Sequence, residues 1–333
     1  MPSQTLRALL EADVCKHIKN AYADNTRRAY NSHRRSYLAF CKVMGVAPVP
    51  ASAHTICQYA AILAKSLKFS SIKQYLNIVR ILHFEWDLPD PMANNYNLSC
   101  VLRGIRRDIG DAPCRKRPIT PHLLEQLLSQ LDLSRLEDRA MWAAMLLLFY
   151  GLLRVASVLC RDLACNHACH VTRPDLRLHS GGIDVTIRTT KTIQFRQRRL
   201  VVPLPRVPGA LLCPTQALAC YLATPGLPTH GHSPSPAFWV RGNPSPKPLT
   251  APHFNSRLRR MLTSLGYESG QVSGHSFRRG GACHLYAMDV PVDTIRIIGD
   301  WKSNSYTDYI LAERPLVAEA LHRMVNGTKH MPK

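Results

Sequence analysis

Residues 175–204 read DLRLHSGGIDVTIRTTKTIQFRQRRLVVPL. Apolar side chains alternate with polar ones at Leu176 and Leu178, again at Ile183, Val185 and Ile187, and once more at Leu200 and Val202. A period of two puts every second side chain on one face, so this stretch predicts three short antiparallel strands with Gly181-Gly182 at the first turn. On either side the period is helical: Pro121 to about Leu131, Arg139 to Cys160, and from about His253 to the C-terminus. Residues 224–252, rich in Pro, Gly, Ser and His, read as loops around one short strand at Phe238 to Val240. The fold class is therefore mainly α with a small antiparallel β-sheet (α+β).

Toward the N-terminus the pattern is helical throughout. In NTRRAYNSHRRSYLAFCKVMG, residues 25–45, Tyr30, His33, Tyr37 and Phe40 share one face and Arg27, Arg28, Arg34 and Arg35 crowd the rest. A second helix is predicted around His54 to Leu67. A third follows a Ser70-Ser71 cap, with Ile72, Tyr75, Val79 and Leu82 on one stripe. The segment GDAPCRKRPIT, residues 110–120, gathers Gly, two prolines and the basic run Arg115, Lys116, Arg117, then supplies Thr120 as N-cap and Pro121 at the first helical position. The expected organisation is a helical domain over residues 1–112, a basic linker over 113–120 and a second domain over 121–333. No internal repeat is found.

The chain has 333 residues, with 43 Lys plus Arg against 22 Asp plus Glu and a formal net charge of +21. That excess points to a polyanionic partner. At 46% hydrophobic and 20% charged residues, a substantial core is expected and wholesale disorder is not. No apolar run reaches the roughly 20 residues of a membrane span, and charged residues interrupt the first 25, so an intracellular protein is expected. The 11 cysteines, an odd number, sit singly in apolar helical context at Cys41, Cys57, Cys220 and Cys283, which predicts reduced, buried thiols.

Four segments carry residue types suited to chemistry. In YGLLRVASVL, Arg154 is expected inside an otherwise apolar helix after LLLFYGLL, where a guanidinium needs an anion, either an internal partner or a bound phosphate. Lys191 stands in the turn TTKTIQF between the second and third strands, a place where most lysines simply face water. In VSGHSFRRGGACHLY, His275 and Arg278 lie three apart near a helix start, where backbone N–H groups favour a phosphate. Finally, IGDWKSNSYTDYI brings Trp301, Tyr306 and Tyr309 together before a last helix. The arginines of residues 27–35 and 115–117 read either as solvated surface or as phosphate contacts, and the basic run also as a nuclear import signal.

An arginine, a hairpin lysine, H-x-x-R, a tryptophan and a tyrosine, in that order, are the groups needed to cut a phosphodiester without metal. In this order and spacing the chain resembles the tyrosine recombinase family over nearly its whole length. The ending W-K-S-x-x-Y-x-x-Y-I is similar to the recombinases of eukaryotic mobile elements, the DIRS-like retrotransposons and the Cryptons. The resemblance implies a helical core-binding domain, then a catalytic domain in which Arg154 is the first catalytic arginine, Lys191 the general acid and His275 with Arg278 the H-x-x-R pair. Trp301 stands where many members have a second histidine; its indole donates a hydrogen bond but transfers no proton. Tyr309, eight residues after Trp301 and followed by Ile310, is the implied nucleophile, with Tyr306 the alternative. No cofactor is implied, and ATP is unnecessary because the bond energy is kept in the protein–DNA link. Also implied are a C-shaped clamp on double-stranded DNA, a nuclear location, and a homo-tetramer joined through the C-terminal helix, for which Leu316, Ala320, Leu321 and Val325 offer one apolar face.

Two features depart from the family pattern. Ser157 occupies the position of an acidic residue that braces the active-site histidine, so slower chemistry is expected. Cys160, Cys165, His167, Cys169 and His170 form a cluster of ligand types acceptable to zinc, but the spacing C-x4-C-x-H-x-C-H matches no standard finger, and a plain loop is expected. Competing readings are a type IB topoisomerase or hairpin-resolving enzyme with a similar residue set, and a domesticated DNA-binding protein that has lost cleavage.

Overall fold

The computed structural model describes residues 4–112, 116–195, 197–227, 235–243, 245–303 and 306–307. The chain divides into two units, Met1–Cys114 and Arg115–Lys333. The first is helical: α1 (Gln4–Asn20), α2 (Asp24–Met44), α3 (Ala53–Ala64), α4 (Phe69–Phe84) and α5 (Tyr96–Ile109). Tyr37, Ile56, Ala60, Ile72, Ile78 and Val79 form its fully buried centre. The stripe expected on α2 divides, with His33 and Tyr37 buried and Tyr30 and Phe40 half-buried. The Tyr37 hydroxyl donates to Pro48 O at 3.0 Å and the Tyr59 hydroxyl to Ser36 Oγ at 3.1 Å, so both buried phenols are satisfied. Ser52 caps α3 by accepting from Thr55 N. The expected cap of α4 is different: the helix starts at Phe69 after Lys68, and Ser70-Ser71 lie inside its first turn. Burial of the Phe69 ring outweighs the serines' capping preference. The sequence pattern did not reveal α1, whose Leu6, Leu9, Leu10, Val14 and Ile18 are all exposed.

The second unit opens with α6 (Pro121–Leu128), where Thr120 accepts from Leu123 N and Pro121 sits in the first turn. Next come α7 (Leu136–Tyr150) and the one-turn α8 (Val155–Val158). From Ala140 to Phe149 every residue of α7 is buried, so this helix is apolar on all sides and forms the axis of the unit. Its polar start is held by Arg257, which pairs with Glu137 and Asp138. The sheet follows as β1 (Leu176–His179), β2 (Gly182–Ile187) and β3 (Leu200–Pro205), antiparallel in that order, with Val185 opposite both Leu176 and Val202. Its buried face is Leu176, Ile183, Val185, Ile187, Val202 and Leu204. The first turn is Ser180-Gly181, since Gly182 already pairs with His179. Then come α9 (Pro214–Leu222), the strands β4 (Trp239–Val240) and β5 (Lys247–Pro248), α10 (Ala251–Ser264), α11 (Gly274–Ala287) and α12 (Val292–Ile298).

Helix α11 passes close to two other backbones. A methyl group on Gly280 would collide with the Ile119 carbonyl, and one on Gly281 with the Phe149 carbonyl at the end of α7. The adjacent glycines therefore let α11 press against the 116–119 strap and α7 at once. Gly280→Ala is expected to lower stability by about 1–3 kcal/mol through overpacking against backbone, seen as a reduced denaturation midpoint. Gly104→Ala in α5, with open space around it, should instead gain up to about 1 kcal/mol from helix propensity.

The division between the units falls within the expected 113–120 segment, and residues 116–119 bond to the second unit, Arg117 N donating to Gln271 O at 2.7 Å and Ile119 N to Ser276 O at 3.0 Å. Two expectations are corrected. Arg154 is not inside a helix: α7 stops at Tyr150, Leu152 adopts a left-handed φ of 48°, and Arg154 is the N-cap of α8. The thiols are not all reduced and buried: Cys160 and Cys165 form a disulfide, Cys220 is exposed, and Cys57 and Cys283 are intermediate. The first pair lies in a short loop that brings its Cα atoms to 5.3 Å, a proximity that helical periodicity does not report. Among the described residues, no helix is long and apolar enough to cross a membrane.

Candidate active site

Helix α11 organises the site. Ser273 and Ser276 close a capping box at its start, and Gly274 N donates to Asn255 Oδ1 of α10 at 3.1 Å. His275 occupies the first turn and is exposed at the surface. Loss of hydration against its neighbours, followed by the charges of Arg278, Arg154 and Arg279, pushes its pKa below the ordinary imidazole value. Arg154, Arg259 and His275, with Asn255, Ser273 and Gly274, line a shallow cavity at the mouth of α11. Three basic side chains at the positive end of a helix make this a place for an anion. Arg259 and Asn255 were not singled out from the sequence; their i, i+4 spacing on α10 was the available signal.

One turn further along α11, Arg278 is only 3% exposed. It donates to Leu152 O and, at 2.6 Å, to Gly299 O, and its guanidinium lies 4.0 Å from the centre of the Trp301 ring. Leu152 and Asp300, the latter next in sequence to Gly299, both have left-handed backbones, with φ of 48° and 52°. Such conformations cost residues with a Cβ about 1–3 kcal/mol and persist where surrounding bonds impose them. Trp301 also packs on Tyr306, their rings 6.2 Å apart, in a buried cluster with Leu152, Ala282 and Ile295. Tyr306 is thus a core residue, 8% exposed. Tyr309 and the helix face of Leu316, Ala320, Leu321 and Val325 lie outside the described residues, as does Arg115.

The structure brings the Lys191 turn to the same place. Lys191 itself is exposed at the tip of the β2–β3 connection, where Thr190 and Ile193 bridge. Its neighbours Thr190 and Thr192 both donate to the carboxylate of Asp300, next to Trp301. Ser157 is buried one turn after Arg154, its N–H donating to Arg154 O at 2.9 Å and its carbonyl accepting from Val171 N at 3.1 Å.

The other sequence candidates are dispersed. Arg27 pairs with Asp24 and Arg34 with Glu85, exposed ion pairs of the kind that exchange readily, while Arg28 and Arg35 are exposed on α2. Lys116 Nζ donates to Gly270 O, and Arg117 is exposed. A cleft opens between α2 and α4, lined by Asn25, Thr26, Tyr30, His33, Lys73 and Gln74. In the Cys160–His170 loop, the disulfide takes two candidate ligands and His170 Nδ1 lies 3.0 Å from Ala156 O. Among the described residues no group of three His, Cys, Asp or Glu side chains is placed to hold a metal.

No family model matches the chain. It is 24% identical over 329 residues to an integrase/recombinase xerD homolog of Selenomonas ruminantium, a match spanning 93% of this chain and 88% of that protein. Among solved structures, the Tn1549 transposon integrase in complex with circular intermediate DNA is similar with a TM-score of 0.59 at 17% identity, over 92% of this chain and 97% of that one. The lambda integrase dimer bound to a COC′ core site is similar with a TM-score of 0.57 at 13% identity, over 91% of this chain and 76% of that one. The fold is that of the tyrosine recombinases. The sequence match to the integrase/recombinase homolog runs through both units of the chain.

Proposed function

We propose that this protein is a site-specific DNA recombinase that cuts and rejoins DNA through a 3′-phosphotyrosine intermediate. The observation that carries the proposal is the convergence of Arg154, His275, Arg278 and Trp301 around the start of α11, with the Lys191 turn tied to the same segment. Tyr309, its phenolic proton passed to solvent, attacks phosphorus as the phenolate, forming an O–P bond as the P–O5′ bond breaks. The leaving O5′ takes a proton from Lys191 Nζ, which becomes a neutral amine. Positive charge from Arg154 and Arg278, and hydrogen bonds from His275 and the Trp301 indole, stabilise the nonbridging oxygens as charge builds on them. None of these steps calls on a metal ion or ATP.

The finer reading follows from the W-K-S-x-x-Y-x-x-Y-I ending: a eukaryotic mobile-element enzyme, working in the nucleus as a tetramer on paired sites. Arg28, Arg35 and Arg117, with Arg27 and Arg34 released from their exposed pairs, supply phosphate contacts. The test is covalent trapping, in which the protein is incubated with a pool of nicked duplexes in EDTA and protein–DNA adducts are sought after denaturation. An adduct is the expected result, and sequencing its DNA yields the site. Salt-sensitive DNA binding with no adduct would replace the enzyme by a binding protein of the same fold.

DNA binding should also take up a proton. The depressed pKa leaves the His275 imidazole neutral near neutral pH, while a phosphate beside it offsets the guanidinium charges and favours the imidazolium. Affinity should therefore strengthen as pH falls from about 7 to about 5.5, the range around the ordinary histidine value. His275→Gln should flatten that part of the slope in anisotropy titrations. An equal slope in both proteins would remove His275 from the phosphate site.

A further inference from the structure

We propose that Asp300 is a positioning residue for the Lys191 turn, holding the general acid in register with the phosphate-binding arginine; the proposal rests on the recombinase reading above. Asp300 lies 109 positions after Lys191 in the chain, between Gly299 and Trp301. Its side chain is 10% exposed, and it accepts from Thr192 Oγ1, from Thr190 Oγ1 at 3.4 Å and from the guanidinium of Arg198. These donors lie within and just beyond the turn, with Thr190 and Thr192 on either side of the lysine. The two hydroxyls are 2.8 Å apart, and Thr190 Oγ1 also accepts from Thr192 N and Ile193 N at 3.1 Å. The turn is thus closed on itself and anchored through one carboxylate.

The other side of the same tripeptide faces the arginine. Gly299 O accepts from Arg278 at 2.6 Å, and the Trp301 ring stacks 4.0 Å from the Arg278 guanidinium. Residues 299–301 therefore join the group that donates the proton to the group that holds the phosphate. The left-handed φ of 52° at Asp300 aims backbone and side chain in these two directions, a conformation that aspartate adopts more readily than most residues. Burial works to raise the Asp300 pKa, but hydrogen bonds from Thr192 and Arg198 and the Arg198 charge outweigh it and hold the carboxyl below the ordinary range. The anchor is ionised at neutral pH, and Arg198 is its counter-charge.

A long, exposed lysine on a free turn samples many positions, and proton transfer requires it within hydrogen-bond reach of O5′. Anchoring restricts that sampling without touching the reacting atoms. The prediction separates Asp300 from residues needed only for folding, because a bridging sulfur in place of O5′ leaves as a thiolate and needs no proton. Trapped DNA would be prepared with oxygen or sulfur at that position, and cleavage measured for wild type, Asp300→Asn, Thr192→Val and Lys191→Ala. On the oxygen substrate, Lys191→Ala should lose about 10²–10⁴-fold, the usual worth of general acid catalysis, and Asp300→Asn and Thr192→Val a smaller part of that loss. On the sulfur substrate all three should approach the wild-type rate. Equal loss on both substrates would mean that Asp300 serves folding or the phosphate site, and the proposal would be wrong.

A second measurement needs no DNA. In hydrogen exchange on the full chain, Asp300→Asn should speed exchange across residues 188–199 while α7 and α11 keep their protection. Unchanged exchange there would show that no anchor exists. If the wild-type protein cleaves neither substrate, the recombinase reading fails and the catalytic role of Asp300 falls with it, while the exchange result still decides whether the turn is tethered.

Discussion

Tyr309→Phe is expected to abolish the covalent protein–DNA adduct, whereas Tyr306→Phe keeps it. The first substitution removes the only oxygen that can form the phosphotyrosine bond under the proposed mechanism, so adduct falls to background and not merely in rate. The second removes a hydroxyl from a side chain that packs its ring against Trp301 in a buried cluster. Phenylalanine retains that ring, so stability and cleavage should change little. DNA binding by Tyr309→Phe, measured by gel shift, should stay near wild type, because phosphate contacts come from other residues. If Tyr306→Phe alone removed the adduct, the nucleophile would be reassigned within the same mechanism.

Arg278→Ala is expected to damage both stability and cleavage. The guanidinium is buried and bonds two carbonyls, Leu152 O and Gly299 O, while stacking on Trp301. Each buried carbonyl left without its donor costs about 1–3 kcal/mol, so a loss of about 3 kcal/mol, or roughly 6–12 °C in Tm for a unit of this size, is expected. Arg154→Ala provides the contrast. Arg154 is half-buried at the edge of an open cavity, so its removal should leave Tm nearly unchanged while slowing cleavage by about 10²–10³-fold, as for the loss of one charge-stabilising donor. Thermal melts and adduct kinetics on the two variants separate the arginine that also builds the site from the one that only serves it.

The same contrast explains what could be read from the linear chain. Alternation over residues 175–204 and the apolar run before Arg154 are local periods, and a period alone determines which face of a strand or helix is buried; the sheet and α7 followed from it. Thr120-Pro121 marked the start of α6 because capping involves atoms only three residues apart. The H-x-x-R spacing likewise placed His275 and Arg278 on one helix turn. The two glycines of HSFRRGGACH were visible, but not the backbones they admit.

What tertiary structure alone decided are pairings between groups distant in sequence with no period to announce them. Arg259 joins Arg154 and His275 because α10 runs past the start of α11. Arg154 stands at a helix break because Leu152, a residue with no intrinsic taste for a left-handed backbone, is held there with its carbonyl on Arg278. Asp300 reads as an ordinary loop carboxylate, and its grasp of Thr190, Thr192 and Arg198 exists only once loops more than a hundred residues apart have met. Burial patterns are local in sequence, whereas a polar anchor is defined by both of its ends. The sequence by itself thus determined the elements and the chemical types at the site, and the folded chain determined which of them hold one another in place.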